Sequence, residues 1–342
     1  MNILIAADSF KGSCSARQVT DTIERAAKNV IPDVTITKIP VADGGEGTVD
    51  ALVAAMKGTK VSVPAHDPLG RPITAEYGLL PDGSAVIETA AASGLTLLKH
   101  EERDALHAST FGTGEHRVKK IILGLGGSAT TDGGAGLAGA LGISFLDKDG
   151  KELEPGGVHL RELASISTDG LLREAAGCEF LVACDVKNHL CGALGAATVF
   201  GPQKGADEEQ VKILDAALAH YAAVLKDKLH CAAADTDGSG AAGGLLCGIL
   251  PYFPVTICSG IDLVLDLTDF DEHVKQADLV ITGEGRIDFQ SALGKVPVGV
   301  AERAKKVRNV PVVAIAGAKG DGCETLYNFG IDAIFDTVPG VM

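Results

Sequence analysis

A glycine-rich stretch between two apolar runs restricts the possible folds of this sequence more than any other feature. Residues 124–136 read G-L-G-G-S-A-T-T-D-G-G-A-G, between the apolar residues 121–123 and the small residues 137–141. Glycine permits sharp turns and lets a ligand approach the backbone closely, so the pattern predicts a strand, a tight turn and a helix. Backbone N–H groups at such a turn converge on an anion. We therefore predict a phosphate-binding loop.

The donors of this loop are predicted to be the backbone and hydroxyl groups of Gly126, Gly127, Ser128, Ala129 and Thr130. Asp132 is suited to hold a metal ion or to cap the helix that follows. Two other interpretations stay open. Gly124, Gly126 and Ala129 satisfy the dinucleotide-binding pattern, with Asp147 near the place of the ribose-binding acid, and the glycines also suit a purely structural turn. A Walker A loop is excluded because no Gly-Lys-Ser or Gly-Lys-Thr occurs here.

The composition is that of a folded α/β protein without nucleic-acid or membrane partners. The 342 residues are 46% apolar and include 43 glycines but no tryptophan, which indicates tight turns and small-residue helices rather than disorder. A net charge of −15 argues against binding to nucleic acids or membrane surfaces. The N-terminus is apolar only to Ala7, and the eight cysteines form no C-x-x-C pair. We therefore expect a cytoplasmic protein with free thiols.

Two apolar runs near the N-terminus each lead into a loop that carries acids and glycines. Residues 2–7 precede D-S-F-K-G-S, and residues 34–39 precede P-V-A-D-G-G-E-G-T. Both runs have the continuous apolar character of buried parallel strands. In open α/β sheets, ligands bind at the carboxyl ends of the strands. The site residues predicted there are Asp8, Ser9, Lys11, Asp43 and Glu46.

The pattern of strands changes near residue 59 and returns near residue 278. Short apolar runs separated by D-P-L-G and P-D-G turns predict antiparallel pairing in between. After residue 278, a strand at 279–282, a loop G-E-G-R-I-D-F-Q-S and a helix at 294–307 are expected. We therefore expect an α/β protein with a Rossmann-like parallel-sheet domain formed by residues 1–60 and 275–342. A mixed α/β domain of residues 61–274, which carries the glycine-rich loop, is inserted into it.

The motifs together resemble those of one known family. D-S-F-K-G-S, P-V-A-D-G-G-E-G-T, G-G-S-A-T-T-D-G-G-A-G, A-C-D-V, F-G-P-Q-K-G-A and V-I-T-G-E-G-R-I-D-F-Q-S follow one another along the chain. The chain is similar in these segments to the bacterial glycerate kinases of the glycerate 2-kinase type. The resemblance implies transfer of the γ-phosphoryl group of ATP to D-glycerate with Mg²⁺, giving 2-phospho-D-glycerate and ADP. The chain departs from the family at residues 116–118, where relatives carry a longer helical stretch, and at residue 342, where they continue into a terminal helix.

Phosphoryl transfer needs a phosphate cradle, carboxylates for a metal ion, cations and a base. Asp185 follows the predicted strand at residues 180–183 and is our candidate for the base, with Asp43 as an equal alternative. Lys11 and Lys204, in glycine-flanked loops, complete the candidate catalytic set. The candidate Mg²⁺ ligands are Asp8, Glu46, Asp132 and Glu284. The candidate substrate-binding residues are Arg286, Ser9, Lys295 and Asp288, of which Arg286 can bind the carboxylate of glycerate through two hydrogen bonds.

Alternatives from the same and from other functional classes remain at this stage. A kinase that forms 3-phosphoglycerate would use the same groups with the substrate placed differently. A dinucleotide-dependent oxidoreductase would bind NAD(H) on the glycine-rich loop, and a non-catalytic nucleotide-binding protein would bind without turnover. The expected partners are glycerate and ATP, and the chain is expected to be a monomer or a homodimer.

Overall fold

The computed structural model describes residues 1–115 and 120–338 of the chain. The short segment at residues 116–118 lies outside the described residues, and so does the end of the chain after residue 338. The chain forms two compact units. The first unit consists of Met1–Thr59 and Cys258–Met342, and the second unit consists of Lys60–Ile257.

Both units combine helices with a β-sheet. The strands are β1 (Asn2–Ala7), β2 (Thr35–Lys38), β3 (Thr59–His66), β4 (Pro72–Leu79), β5 (Ala85–Glu88), β6 (Lys120–Gly124), β7 (Ser144–Leu146), β8 (Ser165–Ser167), β9 (Glu179–Ala183), β10 (Val255–Cys258), β11 (Leu279–Ile287), β12 (Val312–Lys319) and β13 (Ala333–Asp336). The α-helices are α1 (Ala16–Val30), α2 (Thr48–Met56), α3 (Ala90–Ser93), α4 (Phe111–Gly114), α5 (Ala135–Ala140), α6 (Ala196–Phe200), α7 (Glu208–Leu229), α8 (Gly260–Leu267), α9 (Phe270–Gln276) and α10 (Val296–Val307). Short 3₁₀ helices lie at Leu95–Leu97, His100–Glu102, Gly157–Glu162, Pro202–Lys204, Ala233–Asp235, Ala241–Gly243, Leu245–Gly248, Phe289–Leu293 and Cys323–Phe329.

The first unit is built on a five-stranded parallel sheet. Its strand order is β13-β12-β11-β1-β2, and β1 pairs in parallel with both β11 and β2. The sheet confirms the expected parallel-sheet domain, with the strand order of flavodoxin-like folds rather than that of the dinucleotide-binding Rossmann fold. In such a sheet the ligand crevice lies where the strand order reverses, which is here between the carboxyl ends of β1 and β11.

The start of the first unit follows from its sequence. Five of the six residues of β1 are buried, as expected for a strand covered on both faces. Helix α1 begins after Ser15, whose side chain accepts a hydrogen bond from the backbone N–H of Gln18. The side chain of Gln18 in turn accepts from the backbone N–H of Ser15, which completes a capping box.

Strand β11 is longer than the sequence suggests. We expected a loop after residue 282, but the strand continues to Ile287 because β12 runs beside it in parallel register, with Glu284 opposite Ala316 and Arg286 opposite Ala318. Glycines at 283 and 285 fit here because a side chain at Gly283 would approach the carbonyl oxygen of Ile315 to 2.2 Å. The predicted loop position of Glu284 and Arg286 is therefore wrong: both lie on a strand.

The second unit is built on a mixed six-stranded sheet. The strand order is β10-β9-β6-β5-β4-β3. Strands β4 and β5 are antiparallel, as the turns predicted, whereas β5, β6 and β9 are parallel. Gly124, the last residue of β6, lies opposite Ala183, the last residue of β9. The glycine-rich loop and the segment that carries Asp185 therefore leave the sheet at the same edge.

The boundary between the units falls at residue 258, before the expected boundary at residue 275. Helices α8 and α9, which occupy the residues in between, pack against each other and against α10 of the first unit. Arg303 of α10 also forms ion pairs with Asp266 and Asp271 of this segment. These contacts assign the segment to the first unit.

No helix in the described ranges, residues 1–115 and 120–338, is long and apolar enough to cross a membrane.

Candidate active site

A cavity of about 370 Å³ lies at the strand-order reversal of the first unit. Most of the residues that line it are charged residues or glycines. The full set is Asp8, Ser9, Phe10, Lys11, Ser13, Asp43, Glu284, Gly285, Arg286, Lys295, Gly317, Thr337 and Val338. Three carboxylates and three cations therefore share one cavity. The structure thus brings together seven site residues that the sequence predicted from three separate motifs.

Asp8 follows β1 directly and is almost completely buried. Its backbone N–H donates to the carbonyl oxygen of Gly283, and its Oδ1 accepts from the backbone N–H of Ser9 at 2.6 Å. Burial raises the pKa of Asp8 to about 7, and the negative charges of Asp43 and Glu284 add to this effect. A large fraction of Asp8 is therefore protonated at neutral pH when the cavity is free.

Asp43 reaches the same cavity from the loop between β2 and α2. Its Oδ1 accepts from the backbone N–H of Gly45 at 3.2 Å. Gly260, at the start of α8, lies directly behind this loop, because a side chain there would approach the carbonyl oxygen of Asp43 to 2.0 Å. Glu46, predicted as a metal ligand from the same motif, is exposed and does not line the cavity.

Glu284 forms the acidic wall on the β11 side. The hydroxyl of Ser291 donates to its Oε1, and the ammonium of Lys295 lies 3.9 Å from its Oε2. Burial raises the pKa of Glu284, while the hydrogen bond from Ser291 and the charge of Lys295 act in the opposite direction. The carboxylate is thus held in one orientation toward the cavity.

Arg286 presents an exposed cation at the rim. Its side chain is 69% exposed, and its Nε lies 3.3 Å from Oδ2 of Asp288. Oδ1 of Asp288 accepts from the backbone N–H of Gln290, so this carboxylate also caps the 3₁₀ helix that follows. Gly320 leaves room for the guanidinium, since a side chain there would lie 3.1 Å from its Nε. Asp288 therefore orients Arg286, and Arg286 keeps exposed N–H groups for a ligand.

In the second unit, the glycine-rich stretch forms the predicted strand, loop and helix. The segment after α3 supports the loop: the N–H of Ala129 donates to the carbonyl of Ser93, and the N–H of Leu95 donates to the carbonyl of Gly127. Gly127 is exposed and has a φ of +74°, a conformation that residues with a side chain rarely adopt. The tip of the loop is thus fixed from behind and open to solvent in front.

Lys204 lies beneath this loop with only 2% of its surface exposed. Its Nζ donates to Oγ of Ser128 at 3.1 Å and to the carbonyl oxygen of Thr130 at 2.5 Å. Burial lowers the pKa of Lys204 to about 7, although the charge of Asp132 favours the ammonium. An anion bound at the loop would stabilise the charged form of Lys204.

Two hydroxyl groups of the loop are available for a ligand. Oγ1 of Thr130 and Oγ1 of Thr131 are buried, and neither has a hydrogen-bond partner within residues 1–115 and 120–338. Buried hydroxyls normally have partners, because an unpaired one costs about 1–3 kcal/mol. The loop, Lys204 and these hydroxyls together fit the phosphate groups of a nucleotide.

Asp132 has a different role from the metal ligand that the sequence suggested. It is fully buried, and its carboxylate accepts from the N–H and hydroxyl of Thr110 and from the N–H groups of Gly134 and Gly136. These bonds tie the loop to the segment before α4 and cap α5. The prediction of a metal ligand is therefore replaced by the alternative of a helix cap.

The second half of the glycine-rich stretch serves packing. A side chain at Gly133 would approach the ring of Tyr221 to 2.8 Å, and one at Gly134 would approach the carbonyl of Leu245 to 2.4 Å. The structural interpretation of the glycines thus holds for this half, and the ligand interpretation fits residues 126–130.

Asp185 is exposed at the same sheet edge as the glycine-rich loop, two residues after β9. It therefore lies in the second unit, whereas Asp43, the alternative base, lies in the cavity of the first unit.

The acidic groups of the first unit fit a divalent cation. Asp8, Asp43 and Glu284 offer oxygen ligands, which Mg²⁺ prefers. A cation would offset the burial and the repulsion between acids that together raise the pKa of Asp8. In the part of the chain that the structure describes, no three His, Cys, Asp or Glu side chains lie close enough to form a complete metal cage. Mg²⁺ in phosphoryl-transfer enzymes is usually bound by one or two carboxylates together with substrate phosphates and water.

Comparison with known proteins gives the family. The sequence model of the glycerate kinase family matches residues 3–342 of the chain. The chain belongs to the glycerate kinase family. It is 47% identical to the glycerate kinase of Bacillus subtilis (strain 168) and 44% identical to the glycerate 2-kinase of Escherichia coli (strain K12). Both comparisons cover 100% of this chain and 91% of the relative.

A solved structure supports the same family at the level of the fold. A crystal structure from Salmonella typhimurium LT2, provisionally assigned as glycerate kinase 2, matches with a TM-score of 0.90 and 45% identity. The match covers 98% of this chain and 90% of that one. The family resemblance of the motifs is thus confirmed, and membership of the glycerate kinase family does not support the oxidoreductase and non-catalytic alternatives.

Several supporting residues were not among the predicted site residues. Ser291 holds Glu284, Gly260 supports the Asp43 loop, and Thr110 binds Asp132. Ser291 lies at the end of a motif that the sequence already offered, so it could have been found. Gly260 and Thr110 act across long sequence separations, and no local pattern marks them.

Replacement of the loop tip tests the phosphate site. We expect Gly127→Val with Ser128→Ala to lower ATP affinity at least about 100-fold, because a branched side chain cannot adopt the backbone at Gly127 and blocks the donors. The measurement is calorimetric titration with ATP. Gly150→Val is the matched control, since Gly150 has a φ of +78° and lies in a turn where a side chain would meet no atom within 4 Å. Equal affinity in the double variant and in this control would remove the loop from the site.

Proposed function

We propose that this protein transfers the γ-phosphoryl group of ATP to the 2-hydroxyl of D-glycerate with the help of Mg²⁺. The observation that carries the proposal is the cavity of the first unit, where Arg286, Lys295 and Lys11 lie beside Asp8, Asp43 and Glu284. Cations suit the carboxylate of glycerate and the moving phosphoryl group, and the acids suit Mg²⁺ and a base. This combination is what phosphoryl transfer to a hydroxy acid needs.

The nucleotide phosphates are assigned to the second unit. Residues 126–130 supply backbone and hydroxyl donors, and Lys204 supplies a buried positive charge beneath them. In a site of low polarity such a charge is worth more than at the surface, because little water screens it. Mg²⁺, bound by Asp8 and Glu284, would neutralise charge on the transferred phosphoryl group.

Glycerate is assigned to the first unit. Arg286 offers a planar pair of donors for the substrate carboxylate, and Asp288 keeps the guanidinium at the rim of the cavity. Lys295 and the hydroxyl of Ser9 line the same cavity and suit the remaining oxygens. The volume of about 370 Å³ has ample room for a three-carbon acid.

Asp43 is the better candidate for the base in this arrangement. A base must lie within hydrogen-bond reach of the hydroxyl that it deprotonates, and Asp43 lines the cavity that holds Arg286. Asp185 remains the alternative. Asp43→Asn should lower kcat by at least about 100-fold, against less than about tenfold for Asp185→Asn. A larger loss of kcat in Asp185→Asn than in Asp43→Asn would instead support Asp185 as the base.

The position of phosphorylation follows from where the carboxylate is held. The 2-hydroxyl lies one carbon from the carboxylate and the 3-hydroxyl two, and attack needs the reacting atoms roughly 3–3.5 Å apart. One placement of the carboxylate therefore favours one hydroxyl. The glycerate 2-kinase of Escherichia coli supports the 2-position for this chain.

An enolase-coupled assay tests the reaction. Enolase converts 2-phosphoglycerate directly to phosphoenolpyruvate, whereas 3-phosphoglycerate must first pass through a mutase. We expect absorbance from phosphoenolpyruvate with ATP, D-glycerate and enolase alone. A signal that requires added mutase would show the 3-isomer. No ADP from either enantiomer, in a panel that includes other small hydroxy acids, would contradict the kinase assignment.

Replacement of Arg286 by lysine tests the substrate clamp. We expect Arg286→Lys to raise KM for glycerate about tenfold and to leave KM for ATP nearly unchanged, because lysine keeps the charge but loses the planar pair of donors. Steady-state kinetics with each substrate varied gives both values. Arg17→Lys, on the exposed face of α1, serves as the control. An effect on ATP alone would reassign Arg286 to the phosphates.

A further inference from the structure

A second cavity, of about 280 Å³, lies within the second unit and is not used by the mechanism above. Its walls are mostly apolar and include Phe111, Ile143, Phe145, Leu153 and Leu160. The ring of Phe111 is 40% exposed, whereas Phe145 is almost completely buried. A volume near the lower end of the range for ligand pockets has room for one flat ring system rather than for a whole nucleotide.

The walls of this cavity contact the end of the glycine-rich loop. On one side, Gly136 lines the cavity, and its N–H donates to Asp132 of the glycine-rich stretch. On the other side, Gly157, next to the lining residue Gly156, lies so close to the loop that a side chain there would approach the carbonyl of Thr131 to 2.1 Å. Both walls are therefore anchored to residues that directly follow the phosphate donors.

The charges of the cavity select among ligands. Its charged lining residues are the acids Glu152 and Glu154, and none of the described residues that line it is basic. Glu152 accepts from the hydroxyl of Ser144 at 2.7 Å. Glu154 is exposed and makes no hydrogen bond or ion pair with the rest of residues 1–115 and 120–338. Such a cavity disfavours glycerate and phosphate, and it suits a flat aromatic ligand that donates hydrogen bonds.

We propose that this cavity holds the base of the phosphoryl donor, and that the base is a purine with an exocyclic amino group, as in adenine. The proposal rests on the proposed function, in which residues 126–130 hold the donor's phosphates. The base stacks against Phe111, and its amino group donates to the carboxylate of Glu154. Aromatic rings and a carboxylate acceptor are sufficient to select such a base over an anionic ligand.

Gly139→Leu tests the proposal by filling the cavity. Gly139 lines the cavity, and a side chain there would meet no atom within 4 Å, so leucine enters open space rather than a packed wall. Leucine also favours the helix over glycine, so the fold of α5 is retained. We expect at least about a tenfold loss of ATP affinity, since base stacking commonly contributes that much. The affinity for inorganic tripolyphosphate, which has no base, should change less than about twofold.

The controls separate the proposal from the proposed function. Ala223→Leu adds the same side chain at an exposed position of α7 and should change neither affinity. An ATP affinity that does not fall in Gly139→Leu, or that falls together with the tripolyphosphate affinity, would overturn the base pocket. Failure of the unmodified protein to bind either ATP or tripolyphosphate would instead overturn the phosphate loop, and the base pocket with it.

Inosine triphosphate tests the role of Glu154. Its base carries an oxygen in place of the amino group, so we expect the unmodified protein to prefer ATP by about fivefold, the usual worth of one hydrogen bond. Glu154→Gln should narrow this preference, because an amide can donate to that oxygen. If the ratio of the affinities for ATP and inosine triphosphate is the same in Glu154→Gln and in the unmodified protein, Glu154 does not contact the base.

Discussion

Lys204→Met is expected to lower kcat/KM for ATP by about 10²–10³-fold, the usual effect of removing one buried group that stabilises developing charge. The Nζ of Lys204 lies under the glycine-rich loop and donates to Oγ of Ser128 and to the carbonyl of Thr130. Methionine keeps the length of the side chain without the charge. Steady-state kinetics with ATP varied measures the loss. Lys212→Met, an exposed lysine of α7, is the matched control.

The pH dependence of the stability of Lys204→Met distinguishes the effect of the Lys204 charge from that of the packing of its side chain. Burial lowers the pKa of Lys204 to about 7, so between pH 7 and 10.5 the unfolded chain binds a proton that the folded chain does not. The stability of the unmodified protein therefore rises with pH in this window. We expect the melting temperature of Lys204→Met, relative to that of the unmodified protein, to be higher at pH 7 than at pH 9.5. A difference that does not depend on pH would show that burial does not lower the pKa of Lys204.

Asp8→Asn is expected to abolish measurable turnover and yet to stabilise the fold above pH 7. Turnover falls because the cavity of the first unit loses the charge of one of its three acids, which are our candidates for holding Mg²⁺. Stability rises because burial lifts the pKa of Asp8 from 3.8 to about 7, so ionisation of this group opposes folding. Thermal unfolding in the presence of a chelator, together with the coupled kinase assay, measures the two effects.

The direction of the pH effect follows from proton binding. Between pH 4 and 7 the folded protein keeps the proton of Asp8 and the unfolded chain has lost it, so the unmodified protein loses stability as pH rises through this window. Asparagine does not titrate. The variant should match the unmodified protein near pH 4 and exceed it above pH 7 by on the order of a few kcal/mol. Asp33→Asn, an exposed acid of the same unit, should show no such difference. Equal stability of Asp8→Asn and the unmodified protein at pH 8 would contradict the buried, repelled state of Asp8.

Local patterns predicted the parts of the fold that depend on local forces. Strand β1 was predicted with its observed bounds, because the burial of a short strand requires only a continuous run of apolar residues. The extension of β11 was not visible. Its glycines and charges are typical of a loop, and only the small residues of β12 beside it make a strand there possible.

The sequence alone proposed the residues of the candidate site, but not their arrangement. Asp8, Lys11 and Asp43 lie in loops that follow β1 and β2, and the rule that ligands bind at strand ends was enough to select them. Glu284 and Arg286 lie on β11 itself. The burial of Lys204 could not be predicted, since F-G-P-Q-K-G-A is a polar, glycine-rich segment that suggests an exposed lysine. The structural role of Asp132 also depends on Thr110, which lies 22 residues away in sequence.

The way the chain divides between the units has a consequence for its synthesis. The second unit is a single continuous segment, Lys60–Ile257, and can complete its contacts as soon as it leaves the ribosome. The first unit must wait, because β1 needs β11 as its neighbour, and the backbone N–H of Asn2 bonds to Asp278, 276 residues away. Until β11 has been synthesised, the apolar residues of β1 lack this neighbouring strand. They can then aggregate or bind chaperones. Asp8 and Glu284 come from opposite ends of the chain, so the cavity that both residues line is the last part of the protein to form.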